Sequence, residues 1–392
     1  MTKLWGDHPL DSRIEEYTVG NDHLLDLRLV VYDCRGSMAH ARMLGTIGLL
    51  APQEVDWLVN ALTDIAALAE AGNFPIRRSQ EDCHTAIEDA LVDRLGDTGK
   101  KIHTGRSRND QVLTALRLYT KDAVAEMSLR VGELQAVVRT FANRYQKVPM
   151  PGYTHTRKAM PSTVGIWARA LVDSLQDDQR LLRAAHRIVD QSPLGTGAGY
   201  GVPLPLDRTM TAKELGFDRV QKNPIYAQNS RGKFEATVLH AMGQVLFDLN
   251  RVASDLVLFS MPTFGYFNLP EAFCTGSSIM PQKRNPDVLE LVRARYHEVL
   301  AAEIQLKTSM ANMIHGYHRD LQLTKEPFLR ALDASLDTVA IMAAVFGNLE
   351  VDAEACTMAM TRELFATEEA YKLVVDEGIP FRDAYLRVKK DF

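Results

Sequence analysis

Residues 276–287 read Gly-Ser-Ser-Ile-Met-Pro-Gln-Lys-Arg-Asn-Pro-Asp, a run that carries hydroxyls, cations and short amides with almost nothing suited to a packed core. Gly276 and the two serines permit unusual backbone angles, whereas Pro281 and Pro286 stiffen the far half. The expected product is a mobile loop bearing Ser277, joined to a fixed end bearing Lys283 and Asn285. Such a loop suits a carboxylate substrate that must be enclosed before chemistry begins. A surface turn between helices is the plain alternative. Residues 103–111, His-Thr-Gly-Arg-Ser-Arg-Asn-Asp-Gln, lead into a helical pattern. Amides and hydroxyls at a helix N-terminus form a natural anion site, here beside Arg106 and Arg108. Capping explains part of this run, but capping needs only one or two of its polar residues. Residues 151–156, Pro-Gly-Tyr-Thr-His-Thr, offer His155 in a loop. A lone loop histidine is more often a surface residue, yet an imidazole with a pKa near 6.5 suits a general acid or a proton relay.

Those residues sit in a chain of 392, of which 46% are hydrophobic and 24% charged, enough to bury a large core in one to three domains. A net charge of -5 argues against nucleic acid or an acidic membrane surface as a partner. No apolar run follows a basic start at the N-terminus, and no stretch approaches the roughly 18 apolar residues of a membrane span, so a cytoplasmic protein is expected. Cys34, Cys83, Cys274 and Cys356 are scattered without disulfide-framework or metal-ligand spacing, which points to free thiols. Residues 195–201, Gly-Thr-Gly-Ala-Gly-Tyr-Gly, lack the spacing and the preceding strand of a dinucleotide fingerprint. His315 and His318 could share a helical face, but no third ligand follows, so no metal is inferred.

Five long stretches have helical periodicity. The first follows Asp110, where Val112, Leu116, Tyr119 and Val124 recur at short steps, and it reaches about Tyr145. If continuous it runs roughly 35 residues, on the order of 50 Å. The second is expected to begin near Pro161 and end near Gln191, and the third to cover roughly 228–260. The fourth starts after Asn285-Pro286-Asp287, with Val288, Leu291, Val292, Tyr296 and Val299 on one stripe. The fifth spans about 326–349 and is apolar nearly all round at 339–346, which marks it as buried. Helices this long belong in bundles. Shorter helices are expected at 52–71 and 83–95, and no sheet is assigned.

The 276–287 string closely resembles the most diagnostic motif of the fumarase/aspartase superfamily of lyases. Gln282 before the lysine is similar to the argininosuccinate lyase branch, since fumarases and aspartases usually carry Gly there and adenylosuccinate lyases His. Residues 103–111 resemble that branch's second motif almost letter for letter, and Thr154-His155 behind Pro-Gly-Tyr resembles the third. Residues 81–88, Glu-Asp-Cys-His-Thr-Ala-Ile-Glu, and 317–325, Tyr-His-Arg-Asp-Leu-Gln-Leu-Thr-Lys, resemble further segments of the branch. The likeness extends from Lys3-Leu-Trp-Gly to Pro380-Phe-Arg-Asp383. It implies an all-α, three-domain fold with a central five-helix bundle, assembling into a homotetramer with a twenty-helix core and active sites shared between subunits. The corresponding domains are 1–105, 106–350 and a short 351–392.

The implied reaction is reversible β-elimination of argininosuccinate to arginine and fumarate, with no cofactor. By the resemblance Ser277 abstracts the proton. His155 serves the proton delivered to the leaving nitrogen, and Glu290 orients it; without the resemblance Glu290 would be an ordinary exposed helix residue. Ser107, Arg108, Asn109, Thr154, Lys283 and Asn285 would contact substrate. Tyr317, Gln322 and Lys325 would take its amino-acid end. His84 is a further candidate contact, although its place in the first turn of a helix capped by Asp82 explains it equally well. Three departures stand out. Asp22 lies where many members have a substrate-binding serine, and because an acid would repel a multiply carboxylated substrate, that loop's role is expected to pass to Asp26. Thr324 replaces a common aspartate, and residues 230–234, Ser-Arg-Gly-Lys-Phe, alter a serine-acid-arginine-acid run. The alternatives are a lyase acting on another N-substituted aspartate and a non-catalytic, crystallin-like relative. Intact Ser277, His155, Lys283 and Glu290 weigh against the second.

Overall fold

A computed structural model describes residues 11–392, so the Lys3-Leu-Trp-Gly end of the likeness lies outside the described residues. The chain is all-α. Its five longest helices are Arg108–Arg144, Val164–Val189, Lys233–Phe259, Asp287–Ser309 and Lys325–Asn348. The first has 37 residues, a length of about 55 Å. Its only interior glycine, Gly132, has open surroundings, and no proline interrupts it. Contacts gather into two compact units, each drawn from three stretches of chain. One comprises 11–126, 182–240 and 301–332; the other comprises 127–181, 241–300 and 333–392.

In the first unit the helices Val30–Thr46, Pro52–Glu70 and Cys83–Leu95 pack around Leu44, Leu58, Leu62, Ile65 and Leu91, all almost completely buried. Gly45 permits the close approach of the first two, because a Cβ there would lie 2.6 Å from Val55 Cγ2. Arg117 fastens the start of the longest helix to the chain that follows the second. Its guanidinium donates to Gln191 O (2.8 Å), Gln221 Oε1 (2.5 Å) and Ser230 Oγ (2.7 Å).

In the second unit Trp167 lies between Phe267 and Phe346 and donates its indole N–H to Asp255 Oδ2 at 2.9 Å. Phe141 meets Phe346 edge-on at 5.5 Å. Asn250 Nδ2 donates to Arg293 O (2.9 Å) and Arg130 to Leu336 O (3.0 Å), so polar side chains as well as apolar packing fix these helices against one another.

Three expectations are corrected here. The chain does contain small sheets, each two-stranded; the largest pairs Pro149–Thr154 with Arg157–Thr163. Its sequence gave no strand signal because prolines occupy paired positions, Pro151 opposite Pro161, and the register shifts between Gly152 and Tyr153. Pro161 therefore belongs to a strand, and the second long helix begins at Val164. Thr163 caps it by accepting Ile166 N–H at 3.1 Å. The third long helix is likewise broken near its expected start. Pro224–Asn229 forms a short helix, Gly232 turns left-handed at φ 74, and Lys233 begins the long run.

Asp178 is buried in the second unit and shares a hydrogen bond with the carboxyl of Asp248. Burial, then the neighbouring Asp248 charge, pushes Asp178 up to about 7. Because this folded-state value exceeds the ordinary carboxylate value of 3.8, the native state binds the extra proton. Its stability therefore falls as pH rises from about 4 to about 7, and the loss is complete above that. Asp178→Asn should raise the melting temperature at pH 8 by roughly 2–4 °C for each kcal/mol recovered, with the gain fading at pH 5. An equal effect at both pH values in thermal melts would contradict this account.

Candidate active site

The first unit builds a polar cavity of about 120 Å³, with Asp22, Arg108, Asn109, Arg231, Tyr317 and Lys325 among its walls. It shares Asp22, Arg319 and Gln322 with a larger, open cleft of about 700 Å³. Three local structures hold these side chains. At the start of the longest helix, Asp110 accepts Ser107 N–H (2.9 Å) through one oxygen, and the other takes Gly195 N–H (3.0 Å) and Gly197 N–H (2.9 Å). Burial pushes Asp110 up, against the pull of those amides. The glycine-rich connection is thus a clamp on Asp110. Gly195 has φ 83, and a Cβ there would meet Arg208 Cγ at 2.9 Å.

Next to it, Asp82 caps Cys83–Leu95 by accepting Thr85 N–H at 3.0 Å, and its other oxygen pairs with Arg108. Arg108 also reaches Glu81 Oε2 at 2.9 Å, and these acids hold its guanidinium firmly charged. Glu81 is a left-handed residue at φ 66, a strained backbone position of the kind found at functional sites. Arg106 turns inward to Ser37 Oγ (2.7 Å), where burial pushes its guanidinium down, so it is a support rather than an anion ligand.

The third structure is a buried ion cluster. Lys325 Nζ lies 2.5 Å from Asp26 Oδ1 and 3.4 Å from Asp22 Oδ1. Asp26 is fully buried, and its second oxygen accepts Cys83 N–H at 3.2 Å. The expected transfer of the loop's role from Asp22 to Asp26 is therefore reversed, because Asp26 supports Lys325 from behind while Asp22 faces the cavity. Burial pushes Asp22 up to about 6. The two acids hold Lys325 protonated against the opposing effect of burial. His84 is also behind the wall, with Nδ1 3.0 Å from Asp33 Oδ1. Burial disfavours its charge, but Asp33 outweighs this and shifts it upward. Asp26, Cys83 and His84 present donor atoms within 4.8 Å of one another, the spacing of a metal site. The Lys325 ammonium already supplies a cation to Asp26, and burial pushes the Cys83 thiol well up, away from the thiolate a metal would need.

The second unit carries the other motifs. His155 and Thr156 form the two-residue turn of the 149–163 hairpin, at φ 52 and 58, the pattern of a type I′ turn made without glycine. Tyr153 Oη bonds Tyr266 Oη at 2.7 Å, and Lys158 Nζ donates to Ala359 O at 2.6 Å, so the hairpin is anchored on both strands. The 276–284 loop is closed at its base by reciprocal bonds, Thr275 N–H to Asn285 O (3.0 Å) and Asn285 N–H to Thr275 O (2.8 Å). Inside it Ser277 Oγ accepts N–H groups from Ile279 (3.3 Å) and Met280 (3.1 Å). Asn285 Nδ2 donates to Gly276 O at 3.2 Å, and Lys283 is exposed.

The family described as "Lyase" matches residues 8–301. A protein of Thermotoga neapolitana named argininosuccinate lyase is 51% identical over 100% of this chain and 98% of its own length. The argininosuccinate lyase of Sorangium cellulosum is 48% identical over 96% of this chain and 87% of its own. The chain belongs to the argininosuccinate lyase family. Among solved structures, an EDDS lyase variant with bound fumarate superposes with a TM-score of 0.83 at 25% identity, covering 97% of this chain and 76% of that one.

Of the residues singled out from the family motifs, the first unit holds Asp26, His84, Ser107, Arg108, Asn109, Tyr317, Gln322 and Lys325. Five of these, Arg108, Asn109, Tyr317, Gln322 and Lys325, line the cavity. Ser107 instead serves the helix start, its Oγ accepting Asn109 N–H at 3.3 Å. The second unit holds Thr154, His155, Ser277, Lys283, Asn285 and Glu290. His155 and Glu290 are both exposed, and among the described residues no ion pair or hydrogen bond joins them within the chain.

Arg231 was missed. It is 8% exposed, has no ion pair among the described residues, and lies over the Tyr317 ring at 5.3 Å; burial pushes its guanidinium down. Its signal was the altered 230–234 run, where Arg231 stands at the first acid's place, Gly232 at the usual arginine's and Lys233 at the second acid's. Gln322 was assigned a substrate contact, yet its amide already donates to Thr18 O (2.9 Å) and Val19 O (3.2 Å) and so fastens the N-terminal segment beside the cavity.

Lys325→Met would leave Asp22 and Asp26 buried without their counter-charge. The expected cost is about 3–5 kcal/mol at pH 8, shrinking at pH 5.5 as Asp22 takes up a proton. Urea midpoints unchanged at pH 8 would refute the ion cluster as a structural hub.

Proposed function

We propose that this chain splits argininosuccinate reversibly into arginine and fumarate, without a cofactor. The observation that carries the reading is the cavity that gathers Arg108, Arg231 and Lys325 with Asn109, Tyr317 and Gln322 in a member of this lyase family. In the reaction a base takes a proton from the carbon beside a succinyl carboxylate. The carbon–nitrogen bond then breaks, its electron pair leaves with the guanidinium nitrogen, and that nitrogen gains a proton. Negative charge builds on the carboxylate, so cationic and amide donors are the main requirement. Lys283 and Asn285 are the groups assigned to it.

Ser277 is the proposed base. A serine hydroxyl is ordinarily too weak for that role, but the Ile279 and Met280 amides both donate to Ser277 Oγ, which stabilises negative charge there. His155 is assigned the proton for the leaving nitrogen, with Glu290 orienting it and Thr154 beside it.

The same reading includes three domains at 1–105, 106–350 and 351–392, a cytoplasmic enzyme, and a homotetramer whose sites draw residues from several subunits. No helix among the described residues is long and apolar enough to cross a membrane. Exposed Leu129, Ile166, Leu291, Ile304 and Ile341 on the long helices suit a helix-on-helix interface. An exposed His155 that lacks Glu290 within the chain is what a shared site requires.

Purified protein given argininosuccinate should release fumarate, read by its absorbance; release from adenylosuccinate or malate instead would move the assignment to another branch. Ser277→Ala should lower turnover about 10³-fold or more while leaving binding largely intact. His155→Asn and Ser277→Ala proteins, dissociated and reassembled together, should regain roughly a quarter of the sites. No recovery in verified mixed tetramers would mean that each site is built within one subunit.

A further inference from the structure

The charges around the cavity do not cancel pairwise. Asp82 is committed to Thr85 N–H and Arg108, and Arg108 to Asp82 and Glu81. Asp26 is enclosed, with one oxygen on Lys325 and the other on Cys83 N–H. That leaves one under-partnered anion, Asp22, and two under-partnered cations, Arg231 and Arg319, the latter with only a 3.9 Å approach to the already-paired Glu81. Asp22 reaches only the already-paired Lys325, at 3.4 Å, longer than a hydrogen bond to an ammonium should be. Arg231 has no ion pair among the described residues; of the acids near it, the buried Glu235 behind the wall acts most strongly and Asp22, across the cavity, next. Both side chains line the same cavity of about 120 Å³, a volume that holds a head group rather than a whole substrate.

A wall with a spare carboxylate opposite spare guanidinium groups complements a zwitterion, whose carboxylate has two cations to choose between. Resting on the reading of the site given above, we propose that Asp22 is a specificity residue that accepts the α-ammonium of the substrate's amino-acid end, opposite an Arg231 that faces its α-carboxylate. The aspartate that replaces the common serine is then not a repulsive intruder. It sits at the end of the substrate that carries positive charge, away from the succinyl carboxylates, and it exchanges a neutral acceptor for a charged one. Two buried acids, Asp22 and Asp26, share one lysine, and an arriving ammonium provides the second counter-charge.

This exchange makes binding depend on protons. Asp22 is faced by Lys325, Asp26, Asp82 and Arg231, and burial holds it up at about 6. It should therefore be charged and competent above that pH and neutral below it.

The test is calorimetric binding of arginine and of 5-guanidinopentanoate, which lacks only the α-amino group, to the wild-type protein and to Asp22→Asn between pH 5 and 8. Wild type should prefer arginine by about tenfold or more at pH 8, with the preference shrinking below pH 6. Asp22→Asn should lose the preference at every pH while binding the deaminated analogue within about twofold of wild type. Equal wild-type affinities, or a preference that survives in Asp22→Asn, would overturn the proposal. If Asp22→Asn fails to fold, the wild-type preference and its pH dependence decide alone: a preference absent, or flat across pH 6, overturns it. Fumarate release by wild type is read separately, so failure of the lyase reading is distinguishable from failure of the Asp22 assignment.

Discussion

The bond between Lys325 and Asp26 is the interaction on which the substrate cavity depends. Lys325 is the first residue of the Lys325–Asn348 helix, and Asp26 belongs to a single turn near the N-terminus, almost three hundred residues away in sequence. Burying both charges costs several kcal/mol each unless the pairing is close and the remaining valences are satisfied. Here Cys83 N–H satisfies the second Asp26 oxygen, which brings the start of the Cys83–Leu95 helix to the same point. Asp82, one residue earlier, then caps that helix and holds Arg108, and Arg108 opens the longest helix. One buried pair thus sets the positions of several chain segments. The Asp22 that faces the cavity is the surplus charge left by that construction.

The second unit uses backbone geometry rather than charge. His155 and the β-branched Thr156 both occupy the left-handed region, which costs of order 1–3 kcal/mol per residue outside glycine. The tyrosine pair on one strand and Lys158 on the other hold the hairpin in that form. A turn of Asn-Gly would adopt it with less strain. The serine loop follows a similar logic. Its reciprocal Thr275–Asn285 bonds fix the base, and the two amide donors converge on Ser277 Oγ in a turn that Gly276 and Pro281 help define.

The sequence made the long helices legible because each has an apolar stripe that repeats over many turns, and such a stripe can only be buried by other helices. It hid the hairpin because Pro149, Pro151 and Pro161 lie in strands that pair for only a few residues, without alternation. The loop motifs could be recognised as strings, but their roles depended on what each side chain meets. Arg106 and Arg108 differ by two positions in one motif; one turns inward to Ser37 while the other lines the cavity. Asp22 and Asp26 are separated by one helical turn, and charge repulsion alone favoured Asp26. Nothing in the sequence showed that Lys325 would consume Asp26 and leave Asp22 at the surface of the cavity.

The cavity and the two exposed turns differ in how much movement they tolerate. The cavity is made of buried, mutually neutralising groups, whose positions are set when the first unit folds. The proposed catalytic groups are exposed on short, locally stabilised turns: a two-residue hairpin turn for His155 and a closed loop for Ser277. A buried cluster tolerates little movement, because any displacement leaves a charge unpaired in a medium of low polarity. An exposed turn fixed at its base can move its tip while its anchors stay in place. The cavity is therefore the rigid, charge-matched element, whereas the tips of the hairpin turn and the serine loop are free to shift about their anchors.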